Sequence, residues 1–419
     1  MLSDSPGKTA AATSNNSYFA RLKSFSHNSR QYLLFVLLTT LNVGIYGVIF
    51  NLYILRLGFG EDFLGLILSL SSISIGLFAI PSAIVCDRLG RKKTLFLSSI
   101  LLTLSLIFLY NTVSEGLLII FSIVYGLAQS LSLVTGGTLL VENSSAYERM
   151  HLFSVYYMIY TFSTLSGNMI GGLLPGFLAD ALSLNPDGFM PYRLTLYISL
   201  AATIISFLPL AHIHEKSPSK DDSPGQIPAY KSLFSSNAVR KMVFIYCLYG
   251  LGWGLSLPYF NVYLDVVLGA SSNQIGLIFS ASQLTMIAGY FLVPMLSERL
   301  GKIRMASLVQ VISIPFLLIF TFASSILIAA FGYVMRYMLM NMANPILNSF
   351  KLEIVTANQR SVMNSITWMA CYTFVGFGTY AGGMMMAGGQ NAMPFLTTSI
   401  LYALTAGLYY MYFSDAEKR

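Results

Sequence analysis

Arg336 is the residue from which chemistry is first expected. It stands in an apolar stretch, 17 positions before Glu353, which is about 25 Å along a helix and too far for its side chain to stretch into polar surroundings. A cation held at such depth is costly and faces a cavity or a partner. Tyr333, Tyr337, Asn341, Asn344 and Asn348 follow at spacings of four, four, three and four, which on a helix draws one polar stripe beside Arg336. Two readings stay open: Arg336 binds an anionic group of a ligand, or it pairs with a carboxylate such as Asp265 or caps carbonyls of a neighbouring helix. Two other stretches carry matching faces, Asn42, Tyr46, Phe50 and Tyr53 in one, and Tyr246, Tyr249, Trp253, Ser256, Phe260 and Tyr263 in the other. Aromatic stripes more often serve packing or interfacial belts than ligands. Together with Gln283, Asn364, Trp368 and Tyr372, however, they suggest an aromatic, hydrogen-bonding cavity suited to an amphipathic organic molecule.

Other chemistries find no support. No nucleophile stands beside a base, and no phosphate loop is recognisable. Cys86, Cys247 and Cys371 fall in or at the ends of apolar runs without metal-type spacing, so neither a zinc site nor a disulfide framework is expected. The chain is read as a non-enzyme without cofactor or metal.

The elements that must position these residues follow from composition. A chain of 419 residues that is 55% hydrophobic and 10% charged is not a soluble globule. Apolar runs long enough to cross a bilayer predict twelve helices, at 31–55, 62–86, 94–111, 115–141, 151–178, 193–212, 240–267, 273–296, 304–322, 325–350, 361–387 and 391–413. Residues 1–30 read as a cytoplasmic tail that is either disordered or, with Tyr18, Leu22 and Phe25 on one helical face, resting on lipid headgroups. Residues 214–239 read as a cytoplasmic linker between six-helix bundles at 31–213 and 240–413, and 414–419 as a second tail. With both termini inside, 24 Lys and Arg sort to the cytoplasmic side except Arg56, Arg193 and Arg336, as the positive-inside rule requires. That distribution accounts for the net charge of +7 without nucleic acid. The partners expected are a bilayer and a small-molecule substrate, with the chain a monomer, in the plasma membrane.

The halves repeat each other. Phe50, Asn51 and Tyr53 match Phe260, Asn261 and Tyr263 at an offset of 210; after one inserted residue the offset is 211. At that offset Gly65-Leu66-Ile67 matches Gly276-Leu277-Ile278, Arg88-Leu89-Gly90 matches Arg299-Leu300-Gly301, Glu142 matches Glu353, Arg149 matches Arg360, and Gly171-Gly172 matches Gly382-Gly383. An even number of helices per half makes these parallel repeats about an axis along the membrane normal. The basic turn Asp87-Arg88-Leu89-Gly90-Arg91-Lys92-Lys93 resembles the loop signature of the major facilitator superfamily between its second and third helices, with Ala83 and Val85 in place of the usual Gly and Leu. In the second copy Pro294 stands for that Gly and Glu298 for the Asp, which implies a looser lock. The resemblance covers 31–413 and implies an all-α integral membrane fold of twelve helices in two pseudo-symmetric bundles.

For Asp87, Arg88, Gly90, Arg91, Glu142, Arg149, Glu298, Arg299, Glu353 and Arg360 the resemblance implies a cytoplasmic gate, whose charge pairs hold the inner side shut in one state and part in the other. The plainer alternative is solvated pairs worth under about 1 kcal/mol each. Gly167, Gly171, Gly172, Pro175 and Gly176 resemble the superfamily's antiporter signature imperfectly, and small residues at that spacing also serve close helix packing. No Asp or Glu lies mid-span, so coupling to H+ would use Asp265, Glu142 or the substrate itself. The function expected is secondary transport of a small organic solute, anionic or amphipathic, by alternating access, with proton-coupled efflux of a drug or metabolite in the lead. Uptake of an organic anion or sugar-like nutrient is one alternative; a non-transporting membrane sensor or enzyme is another.

Overall fold

The computed structural model describes residues 25–214, 236–356 and 359–414. Most of the first tail, most of the linker and the last five residues therefore lie outside the described residues, including the amphipathic face proposed for Tyr18 and Leu22.

The described residues form twelve long helices. In the first half these are α1 (His27–Arg56), α2 (Glu61–Leu77 continued by Ala79–Leu89), α3 (Arg91–Asn111), α4 (Glu115–Glu142), α5 (Ala146–Ala181) and α6 (Phe189–Ala211). In the second they are α7 (Asn237–Val266), α8 (Ser272–Leu300), α9 (Lys302–Thr321), α10 (Ile326–Glu353), α11 (Arg360–Ala387) and α12 (Met393–Phe413). Helix α1 starts before its apolar run because the Ser26 hydroxyl accepts from the Ser29 backbone N–H at 3.2 Å and caps it. Asn28 then ties this end to Asn143 at the end of α4 and to the His214 carbonyl after α6. Lys241 near the start of α7 lies over the ring of Tyr412 at the end of α12, so both bundles begin and end on one face, called here the terminal face.

Four helices are broken, and each break contains a proline or stands two or three residues before one. The breaks are at Phe78, Ser206, Leu257–Tyr259 and Ala343; the prolines are Pro81, Pro209, Pro258 and Pro345. A proline has no N–H to give the carbonyl four residues back, and its ring crowds that carbonyl. The largest bend, 53°, is in α2. Pro175 and Pro315 are carried inside α5 and α9 without a break.

The halves touch through small residues. A Cβ added to Gly65 of α2 would lie 2.9 Å from Gly383 Cα of α11, and one added to Gly172 of α5 would lie 2.8 Å from Gly276 Cα of α8. These pairs exchange under the internal repeat. Such contacts let backbones approach where the bilayer supplies no hydrophobic drive between helices. Gly44 and Gly167 make the same kind of contact between α1 and α5.

Candidate substrate cavity

The face opposite the terminal face is held by polar contacts between the bundles. Asn51 of α1 donates to the Pro258 carbonyl at 2.6 Å and to Asn261 Oδ1 at 3.1 Å, while Asn261 of α7 donates to the Val48 carbonyl at 2.9 Å. The break at Pro258 is what presents its carbonyl to Asn51. One turn farther out, Arg56 grips Asp265 with two parallel bonds of 3.0 and 2.7 Å, a bidentate geometry that lysine could not match. The Arg56 guanidinium also stacks 4.8 Å from the Tyr192 ring. This settles one expectation: Asp265 does not pair with Arg336, because Arg56 already occupies both its oxygens.

At the terminal face the charges lie elsewhere. Arg91 bonds Asp87 at 2.9 Å and Glu142 at 2.8 Å, and Lys302 bonds Glu353 at 2.7 Å. Each of these pairs lies within one bundle. The Arg149 side chain donates to the Val141 carbonyl at 3.3 Å, and Arg360 repeats this on Leu352 at 3.2 Å, closing the ends of α4 and α10. Gly90 and Gly301 occupy φ of +89° and +86° at the two basic turns, a region other residues avoid. Arg88, Glu298 and Arg299 are exposed. Beside the first of these turns a cavity of about 550 Å³ opens between the bundles, lined by Asp87 and Cys86 of α2, Ser130 of α4, and Asn364, Trp368 and Tyr372 of α11.

Trp368 also lines a second cavity of about 390 Å³ that reaches Val43 of α1 and Tyr160 of α5 on one side and Arg336 of α10 on the other. Tyr246, Tyr249, Trp253, Tyr337, Asn341, Asn344, Asn348 and Tyr402 are among the other residues of its wall. Arg336 is 4% exposed. Its guanidinium sits 4.9 Å from the Phe260 ring centre and 5.7 Å from that of Tyr402, and it donates to the Tyr402 hydroxyl at a long 3.4 Å. Its Nε has no hydrogen-bond partner, and no carboxylate pairs with it among the described residues. A guanidinium in that position keeps donors and charge for a ligand. Gln283 of α8 donates to the Tyr337 hydroxyl at 3.1 Å and Asn341 to the Tyr337 carbonyl at 2.8 Å, fixing the stripe beside it.

The structure thus gathers Arg336, Tyr337, Asn341, Tyr249, Trp253 and Trp368 around one cavity, with Gln283 one bond behind and Asn364 in the adjoining space. It does not bring Asn42 or Tyr46 to that wall. Asn42 is buried, and Tyr46 stacks on Phe50 at 4.1 Å and Tyr125 at 5.3 Å. Tyr333 is likewise withdrawn into an aromatic cluster with Phe260 and Phe279. Of the two coupling candidates, Asp265 is held by Arg56 and Glu142 by Arg91.

Lys351 stands at the terminal-face end of α10, and what the sequence reading missed is its burial. Sorted there with the cytoplasmic cations, it is 1% exposed, and its ammonium lies 4.9 Å from the Trp368 ring and 5.2 Å from the Tyr246 ring. The signal was present: Lys351 continues the stripe Asn341, Asn344, Asn348 by three more positions. The Arg56–Asp265 pair was not foreseen either, because opposite charges at the ends of α1 and α7 do not by themselves say that those ends meet.

With this geometry established, comparison with known proteins places the chain. The family model described as Major Facilitator Superfamily matches residues 32–263 and 242–419. No curated protein matches. Among solved structures, a bacterial homologue of the human lysosomal transporter Spinster, inward-facing and occupied, superposes with a TM-score of 0.74 at 14% identity over 93% of this chain and 96% of that one. The nucleoside transporter NupG (D323A mutant) gives 0.74 at 13% identity over 92% and 99%. A D-xylose–proton symporter gives 0.71 at 16% identity over 94% and 98%. The twelve helices in two repeated bundles and the match along both halves agree: the chain belongs to the Major Facilitator Superfamily of multi-pass membrane transporters.

Proposed function

We propose that the chain carries a small organic anion with an aromatic or apolar body across the bilayer by alternating access, coupled to protons, with Arg336 as counter-ion to the substrate's acidic group. The observation that carries this reading is the buried, carboxylate-free guanidinium of Arg336 in a cavity walled by both bundles. A buried cation without a fixed counter-charge is expensive, and an arriving anion offsets that cost. The aromatic walls from Tyr249, Trp253 and Trp368 accept an apolar body.

In the state described, the bundles meet through Asn51, Asn261, Arg56 and Asp265 on the far face and part at the terminal face, which the distribution of Lys and Arg assigns to the cytoplasm. Transport requires the opposite state, in which the Arg56–Asp265 pair separates and the terminal face closes. Asp87, at the mouth of the terminal-side cavity and bonded there to Arg91, is placed to exchange partners in that closure.

Movement of the anion together with a proton is the coupling that this cavity favours, since an anion bound at Arg336 offsets its charge and lowers the cost of a proton taken up nearby. Proton-coupled efflux by exchange is the second reading, supported by the glycine pattern of α5. Gly167 and Gly172 are, however, engaged in packing against Gly44 and Gly276. The test is flux in sealed proteoliposomes with an imposed pH gradient. An aromatic sulfonate, which stays ionised at every pH used, is compared with lipophilic cations. Gradient-driven sulfonate movement that fails in Arg336→Ala supports the reading. Lipophilic cations crossing regardless of Arg336 would make the chain a drug exporter and reduce the arginine to structure.

A further inference from the structure

We propose that Lys351 is the residue that takes up and releases the coupling proton. The inference rests on the transport reading above but concerns a residue outside the cavity wall. Lys351 is in the second segment of α10 (Asn344–Glu353), two positions before the Glu353 that holds Lys302 at the terminal face. Its side chain turns inward rather than out to that face. The rings it meets, Tyr246 and Trp368, stand nine and eight positions into α7 and α11, about 12 Å from the helix starts. Both rings line the cavity that holds Arg336, whereas Lys351 itself is not among the lining residues.

The surroundings of the amine supply no counter-charge. Its Nζ has no hydrogen-bond partner. From α7 it faces the Tyr246 ring, from α11 the Trp368 ring and the Cys371 thiol, and from α12 the Tyr409 hydroxyl approaches the same cluster while bonding Met242 Sδ. Helix α9 offers apolar Ile303, Ala306 and Val309 there, and its Lys302 is turned to Glu353. Among the described residues no carboxylate pairs with Lys351, and the two cation–π contacts are its only favourable partners. Arg336 cannot serve as the proton carrier, because a guanidinium keeps its proton at every accessible pH, whereas a lysine amine held from water can give its proton up. The carboxylates Asp265 and Glu142 are each committed to an arginine away from the wall of the Arg336 cavity.

The step balances simply. When the terminal-side cavity admits water past Trp368, the ammonium N–H bond breaks toward a water oxygen, leaving a neutral amine that keeps the electron pair and a hydronium ion that departs. Uptake from water in the other state reverses this. An anion on Arg336 lowers the cost of a second positive charge beside the same wall, so anion and proton are held together and leave together.

Trp253 and Trp368 are the two tryptophans of the chain, and the charge on Lys351 acts on the indole of Trp368. A pH titration of tryptophan emission in the purified full-length protein is therefore expected to show a step in the wild type that disappears in Lys351→Met, in Lys351→Arg and in Trp368→Phe. In proteoliposomes, Lys351→Met is expected to keep sulfonate exchange between preloaded and external pools while losing accumulation against the pH gradient. A wild type without a step, a step that survives Lys351→Met, or undiminished accumulation in Lys351→Met overturns the proposal. So does loss of exchange together with accumulation, which would make Lys351 structural. If Lys351→Met does not fold, Lys351→Arg, which keeps the charge, decides by the same readouts. A wild type that shows the step but moves no sulfonate would contradict the transport reading and leave the proton site standing.

Discussion

The two halves of the molecule share their scaffold and differ in their chemistry. Tyr53 bonds the Tyr110 carbonyl at 2.7 Å and Tyr263 bonds the Thr321 carbonyl at 2.6 Å; Asn51 and Asn261 each reach across to the other half; Gly90 and Gly301 take the same positive φ; Glu142 and Glu353 each hold a base of the adjoining turn. All of these pairs obey the repeat. The buried cations do not: at the same offset the first half has Tyr125 opposite Arg336 and Leu140 opposite Lys351. Trp253 and Trp368 likewise face Val43 and Tyr157. Repeated residues therefore hold the fold and its pivot, while the residues that break the repeat furnish the ligand's surroundings.

This contrast can be pressed hardest at the basic turns, where the copies differ in their leading acid, Asp87 against Glu298, and in the three residues after the glycine. Asp87→Asn is expected to abolish net flux with the protein still folded, whereas Glu298→Gln, in the exposed second copy, leaves most of it. Equal losses from both would mean that the halves gate alike. The next largest effect belongs to the pivot. Asn51→Leu or Asn261→Leu strands buried carbonyls and a partner amide, and each is expected to cost about 1–3 kcal/mol of stability, read as a lower unfolding midpoint in detergent. Arg56→Gln and Asp265→Asn should loosen the far face by similar amounts. Because they share one interaction, the double mutant should be no worse than either single one, with a coupling of about 1–3 kcal/mol; strict additivity would show that the pair does not hold the bundles. Smallest are Glu142→Gln and Glu353→Gln, whose partly exposed pairs are worth under about 1 kcal/mol. A large loss from either would give these acids a role beyond closing their own turns.

Much of the fold was legible because apolar runs, punctuation and an internal offset are properties of the chain alone. The breaks in α2, α6, α7 and α10 could be read from Pro81, Pro209, Pro258 and Pro345, although a proline does not announce a break, as Pro175 and Pro315 show. The cavity was legible in part. Helical spacing put Arg336, Tyr337 and Asn341 on one face, but it could not say which aromatic stripe turned toward that face. Tyr46 packs on Phe50 and Tyr125, while Trp253 reaches the cavity. The pairing of Asp265 with Arg56 depends on two helix ends meeting across the bundles, and Lys351 turns inward at the position where hydropathy alone ends the span.

Equilibrium binding of an aromatic sulfonate tests most directly the claim that the repeat-breaking cation is the ligand's partner. It can be followed by tryptophan quenching in the wild type, Arg336→Ala, Arg336→Lys and Tyr125→Phe. The expected order is wild type tightest, Arg336→Lys weaker through loss of the planar fork, and Arg336→Ala weakened at least tenfold, about 1.4 kcal/mol or more, with Tyr125→Phe close to wild type. Unchanged affinity in Arg336→Ala would contradict the account.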